Sequence, residues 1–229
     1  MELFNRVKSI LFNPKEEWEV IEAENAPQGK VLQYLLVLSL IPAAASFFHQ
    51  WWTWWSMISK AKDAILKTYG EIAGNEYAQK ALAAVTENSP FFKTVGIWGI
   101  LQIVNQFAII LLGVYLTAKI INAFSDQFGA SKDFNRTFSL VTYAYTPLCI
   151  AGILYILAPL AWLVPFLALY GIYLLFIGVK PLIKPAAEKQ SGYAIMALIV
   201  TVVAYLIMSK AVPMITREIY TAVVTSQMM

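Results

Sequence analysis

Charge is what this sequence has least of. Asp, Glu, Lys and Arg together make up 14% of its 229 residues, against about 25% in an ordinary soluble domain, so the solvent for most of the chain is not water. Histidine occurs once, as His49, and cysteine once, as Cys149. A lone cysteine excludes a disulfide framework and a paired-thiolate metal site. His49 has no second His, Cys or intramembrane carboxylate near it in sequence, and it reads as an interfacial hydrogen-bonding group rather than a metal ligand. The long apolar runs hold no Asp or Glu, which excludes a proton- or sodium-coupled pump built on a carboxylate. There is no Lys/Arg-rich run, and a net charge of +3 is too small and dispersed for nucleic acid. Hydroxyls occur without a base or metal beside them, so no catalytic residue, metal ligand or cofactor is assigned, and the chain reads as a non-enzyme.

What is present in quantity is hydrocarbon. Hydrophobic residues make up 59% of the chain, and its mean hydropathy is +0.61. From Thr137 to Val179 there is no Asp, Glu, Lys, Arg or His, a run about twice the ~20 residues that span a bilayer. Ala158-Pro159 falls near its middle, where proline withdraws a backbone donor, so the run predicts a helical hairpin with two arms. Further spans are expected around it. The fold class is therefore all-α: a polytopic integral membrane protein with five transmembrane helices, at about residues 31–55, 95–123, 137–157, 160–179 and 193–213.

The flanking segments have their own patterns. In residues 1–30, Leu3, Phe4, Val7, Ile10 and Leu11 recur at helical spacing opposite Arg6 and Lys8. This predicts a short amphipathic helix, either in the membrane interface or packed on the protein's own surface. Asn13-Pro14 then restarts a helix to about Glu24, with Trp18 as its anchor and its glutamates on a solvated face. Scattered charges in the first dozen residues make a cleaved signal peptide unexpected. Residues 56–94 predict a hydrophilic surface loop of two short helices, and 217–229 a C-terminal tail after a membrane domain over 31–216. Trp51, Trp52, Trp54 and Trp55 mark one membrane boundary.

Small and polar residues at helical spacing give the spans a second pattern. Ser39 and Ser46 lie on the first, Gln102, Asn105, Gln106 and Thr117 on the second, and Ser139, Thr142 and Thr146 on the third. Such faces point inward, either as interhelical glue or as an uncharged conduit. Arg6, Lys8, Arg136, Lys180 and Lys184 are the candidate lipid-headgroup contacts. Placing the N-terminus in the cytosol and the C-terminus outside puts ten basic residues inside against seven outside, a modest positive-inside bias.

The run Phe134-Asn-Arg136-Thr-Phe138-Ser-Leu-Val-Thr-Tyr143-Ala-Tyr145-Thr-Pro147 resembles the signature of the Yip1 domain family, a basic or aromatic lead-in to a tyrosine segment and a helix proline. Tyr143 and Pro147 carry that likeness, although Thr142 stands where glycine usually precedes the signature tyrosine. Phe4-Asn-Arg6-Val-Lys8 through Trp18 is similar to the opening of the family's prokaryotic members. The resemblance implies a membrane scaffold or membrane-organising protein of a prokaryotic cytoplasmic membrane. Its partners would be membrane lipids and either a second copy or another membrane protein. The long N-terminal region through which eukaryotic members meet small GTPases has no counterpart in the ~30 residues before the first span. A channel or transporter with a polar path through the first three spans is the alternative reading.

Overall fold

The N-terminal residues form two helices because Asn13-Pro14 interrupts one apolar stripe and begins another. A computed structural model describes residues 3–73, 76, 79, 80 and 91–228. In it α1 (Leu3–Phe12) is followed by α2 (Pro14–Glu24), with Pro14 in the first turn, where its missing N–H costs nothing. Asn25 closes α2 in the left-handed conformation at φ 39°, its N–H bonded to the Ile21 carbonyl. The long helices follow: α3 (Gln28–Ala73), α4 (Phe91–Phe124), α5 (Phe134–Ala144), α6 (Thr146–Ala151), α7 (Val164–Ile183) and α8 (Gln190–Met228). Short 3-10 turns over Ser125–Phe128, Gly152–Ile156, Ala158–Leu163 and Ala187–Lys189 connect them. No strand occurs among the described residues.

Five helical segments are long and apolar enough to cross a membrane: Gln28–Thr68, Ile97–Phe128, Phe134–Ile156, Pro159–Ile183 and Ala187–Ala222. The protein is an all-α polytopic membrane protein.

Three boundaries differ from the sequence expectation. The first span does not stop at its tryptophans, because α3 runs on to Ala73 as one helix of 46 residues, about 69 Å long against a ~30 Å hydrocarbon core. The helical spacing of Ile58, Ile65 and Leu66 therefore belongs to that helix and not to a separate short one. The second short helix expected in the loop falls largely outside the described residues. The third span is broken between α5 and α6. Tyr145 shares its N–H between Val141 O at 3.1 Å and Thr142 O at 3.2 Å, and Pro147 fits the first turn of a new helix but not the interior of an old one. At the C-terminal end α8 continues through Pro213 to Met228, so residues from 217 onward prolong the last span.

The α5–α6 segment sits at the centre, and every residue from Thr137 to Pro147 is buried. The helices α3, α4 and α7 pack against it, and α8 packs on α4 and α7. Antiparallel packing of α4 on α8 is marked by Ser125–Tyr193 (3.2 Å between hydroxyls), by Asn105–Thr216 (2.8 Å) and by the Trp98 and Tyr220 rings (4.8 Å). The helices α1 and α2 pack along α7, from Leu11 beside Tyr170 to Glu22 beside Lys184; the end of the bundle at Lys184 is the capped end, and α8 finishes at the other, the far end. Glycine permits the closest approach beneath the cap: a Cβ at Gly178 of α7 would lie 2.7 Å from both Trp18 of α2 and Leu140 of α5.

Candidate functional site

At the capped end the chain assembles a polar centre around Tyr143. Arg6 reaches in from α1 and pairs with both Glu17 and Glu24 of α2, with its guanidinium 5.6 Å from the centre of the Tyr143 ring. Trp18 meets the same ring edge-on at 6.3 Å, and Tyr34 of α3 packs on it at 4.8 Å. The Tyr34 hydroxyl lies 2.8 Å from Thr146 Oγ1, and Tyr170 of α7 donates to the Leu11 carbonyl at 2.8 Å.

This placement corrects the reading of Arg6 as a lipid-headgroup contact. Arg6 is 5% exposed and Glu17 4%, and opposite charges removed from water are held together because no solvent compensates either of them there. The glutamates of α2 are correspondingly not all on a solvated face. Their partner was hidden from local reading, since Arg6 is 11 and 18 residues away. The available signal was Glu17 and Glu24 two helical turns apart on one face of α2, opposite the only arginine of α1.

Outside this centre lies a second, more exposed set of charges. Lys184 donates to Glu22 at 2.8 Å, and Arg136 approaches Glu22, Asp133 and the Leu182 carbonyl, each at 3.3 Å. The Lys184 hydrogen bond and charge, aided by Arg136, hold the Glu22 carboxyl below its ordinary range. Asn135 donates to the Ala26 carbonyl at 2.9 Å. Arg136 and Lys184 are thus engaged within the protein, whereas Lys8 and Lys180 are exposed and carry no ion pair among the described residues.

The inward polar faces do not converge on one lumen. Ser39 and Ser46 bond to carbonyls of their own helix, Leu36 and Ala43. Thr146 meets Tyr34. Asn105 donates to Gln102 and accepts from Thr216, a residue outside the polar stripes legible in the sequence. Thr117, Ser139 and Thr142 are buried in the central packing, and the Thr142 hydroxyl finds no partner there. Tyr143 and Pro147 are both buried, one at the centre of the capped end and the other at the break below it.

Toward the far end, α3, α4 and the 3-10 turn after Gly152 enclose a cavity of about 190 Å³ lined by Ser46, His49, Gln50, Gln102, Gln106 and Tyr155. A second cavity of about 270 Å³ lies between α6, α7 and α8, and its walls are mostly apolar. No group of three or more His, Cys, Asp or Glu that could hold a metal ion occurs among the described residues. Cys149 is a buried free thiol.

No curated protein and no solved structure matches the chain. The model of the Yip1 domain matches residues 8–209, an interval that begins in α1 just after Arg6, contains the rest of the Tyr143 centre and both cavities, and ends in α8. By that match over most of its length, the chain belongs to the Yip1 domain family.

Proposed function

We propose that this protein is a non-enzymatic membrane scaffold that works through contacts with lipid and with a second copy of itself or another membrane protein. The observation that carries this reading is where the interior polar groups are spent. Tyr34 with Thr146, Asn105 with Thr216 and Ser125 with Tyr193 tie helix to helix, each bond contributing on the order of 1 kcal/mol in a bilayer. They fix the shape of the bundle and leave its outward faces for contact. Along α7 and α8 those faces are apolar, with Phe166, Leu169, Phe176, Ile195, Ile199 and Leu206 exposed. The alternative of an uncharged conduit loses support because Asn105 and Thr146 of its proposed lining are engaged in these bonds and the rest do not converge on one lumen.

In this reading the protein sits in a prokaryotic cytoplasmic membrane with the capped end in the cytosol, and the modest bias of basic residues toward that end supports the orientation. The test is reconstitution of the full chain in proteoliposomes. Fluorescence energy transfer between labelled copies should rise with protein density and fall on dilution with lipid, while ions and small neutral solutes cross no faster than in empty vesicles. Gradient-driven flux through the wild-type protein would overturn the scaffold reading. For orientation, single cysteines replacing Lys15 and Lys60 should react with impermeant reagents from opposite sides, Lys15→Cys from the cytosolic one.

A further inference from the structure

The two far-end cavities differ in chemistry and share a wall. The first offers three carboxamides, an imidazole and two hydroxyls, from Gln50, Gln102, Gln106, His49, Ser46 and Tyr155, with no Asp, Glu, Lys or Arg among them. The second is hydrocarbon over most of its surface, with Ala168, Leu169, Leu198 and Val202 in its walls. Tyr155 lines both. It also lines a constriction shared with both linings, together with Gln106 and Tyr205, where only about 10 Å³ is open, room for one water at most. Both cavities open outward, and the polar one is lined by His49 and Gln50, next in sequence to Trp51 and Trp52, a residue type that prefers the headgroup level.

The polar cavity holds hydrogen-bonding capacity that the protein does not use. His49 Nδ1 is buried without a partner, and no described partner engages the carboxamides of Gln50 and Gln106. A volume of about 190 Å³ is more than ten times what one water fills. A charged occupant would lose hydration there without a counter-charge. A hydroxyl suits the site because it both donates and accepts, as each carboxamide does.

We infer that the polar cavity and the apolar groove together form one binding site for a membrane lipid with an uncharged, hydroxyl-bearing head, which straddles Tyr155 with its head among Gln102, Gln106 and His49 and a chain between α7 and α8. Because both cavities open outward, the lipid reaches the two compartments without passing through the constriction. The inference goes beyond the scaffold reading and does not depend on it, since holding a lipid neither requires nor produces self-association.

The experiment is native mass spectrometry of the full chain, delipidated in a non-lipid detergent and offered dioleoylglycerol or dioleoylphosphatidylglycerol at equal concentration. The two share their chains, and they differ in the charge of a head that carries hydroxyl in both. Dioleoylglycerol adducts should exceed those of the anionic lipid about tenfold. Gln106→Leu should reduce them by a similar factor, as expected for the loss of one or two hydrogen bonds. It removes no described contact, so the variant should keep its melting temperature. Ala168→Trp, which fills the groove, should reduce adducts independently, and Tyr155→Phe should weaken them less than either. Equal or stronger retention of the anionic lipid would replace the inference with an anion site. Displacement of the adduct by millimolar free glycerol would reduce it to a head-only polyol site and overturn the role of the groove. Occupancy unchanged by Gln106→Leu in a folded protein would show the adduct to be nonspecific.

Discussion

The spans Phe134–Ile156 and Ala187–Ala222 meet the membrane in opposite ways. In the most apolar window of each, 67% of the first is buried and only 17% of the second, although the second is the more apolar. In water the ranking would be reversed, because apolar residues are driven inward. In a bilayer the lipid is as apolar as leucine, and what gains by facing protein is the small or polar side chain that needs a neighbour. The central span carries Ser139, Thr142 and Thr146 and is surrounded. The last span shows Ile195, Ile199, Val202 and Leu206 to whatever lies outside.

This contrast predicts an uneven response to mutation, greatest where the cap meets the centre. Arg6→Ala leaves Glu17 buried and unpaired and should lower stability by about 3–5 kcal/mol. Thermal unfolding in detergent reads the loss, and the double variant Arg6→Met, Glu17→Met should recover most of it. If the single variant melts like wild type, the buried pair is not holding the cap. Next in size is Gly178→Val, which forces atoms into Trp18 and Leu140 and should cost about 1–3 kcal/mol. Quenching of the tryptophan emission would report separation of α2 from α7. Full retention of the cap would mean that the contact yields more easily than its spacing implies.

Acid should have a smaller effect, and at the same end. Because Lys184 and Arg136 hold the Glu22 carboxyl below its ordinary value of 4.5, its contribution is complete above that pH and is lost as pH falls through the lower, folded-state value. A melting curve followed between about pH 6 and pH 3 should therefore drop, and the drop should be shallower in Glu22→Gln. Identical slopes would assign the acid response to other carboxylates. The smallest effect belongs to the exposed span, where Ile199→Ala should change stability by less than about 0.5 kcal/mol. A loss comparable to that of Gly178→Val would show that α8 is packed against something in the purified protein, and the contrast between the two spans would fail.

Much of the architecture is legible in the chain because membrane thickness sets a length that apolar runs must match. The break between α1 and α2 at Asn13-Pro14 is equally plain, since capping chemistry is local. The interruption at Tyr145 is less so: Pro147 advertises a kink, but the turn is completed by the shared N–H of Tyr145. Long-range pairing is where reading the residues stops. Arg6 has the spacing and character of a headgroup ligand, and only the fold brings Glu17 and Glu24 around it. The polar stripe on α4 correctly flags residues that need partners, yet Thr216 lies 111 residues from Asn105, at the last position of the expected membrane domain and past the expected end of the fifth span. Likewise, Tyr155 looks like one more aromatic in an apolar run until α7 and α8 are placed beside it.

The cap has a consequence for how the chain is made. Leu11 and Tyr170, joined by a hydrogen bond, are 159 residues apart, and Glu22 and Lys184 are 162 apart. At about 5–20 residues per second, α1 and α2 leave the ribosome roughly 8–30 seconds before α7 exists to receive them. Throughout that interval Leu11, Trp18 and Glu22 lack the α7 side of their contacts. The cap is thus synthesised well before it can be fully seated, and a chain interrupted before Val164 carries an α1–α2 pair without the α7 surface it docks on.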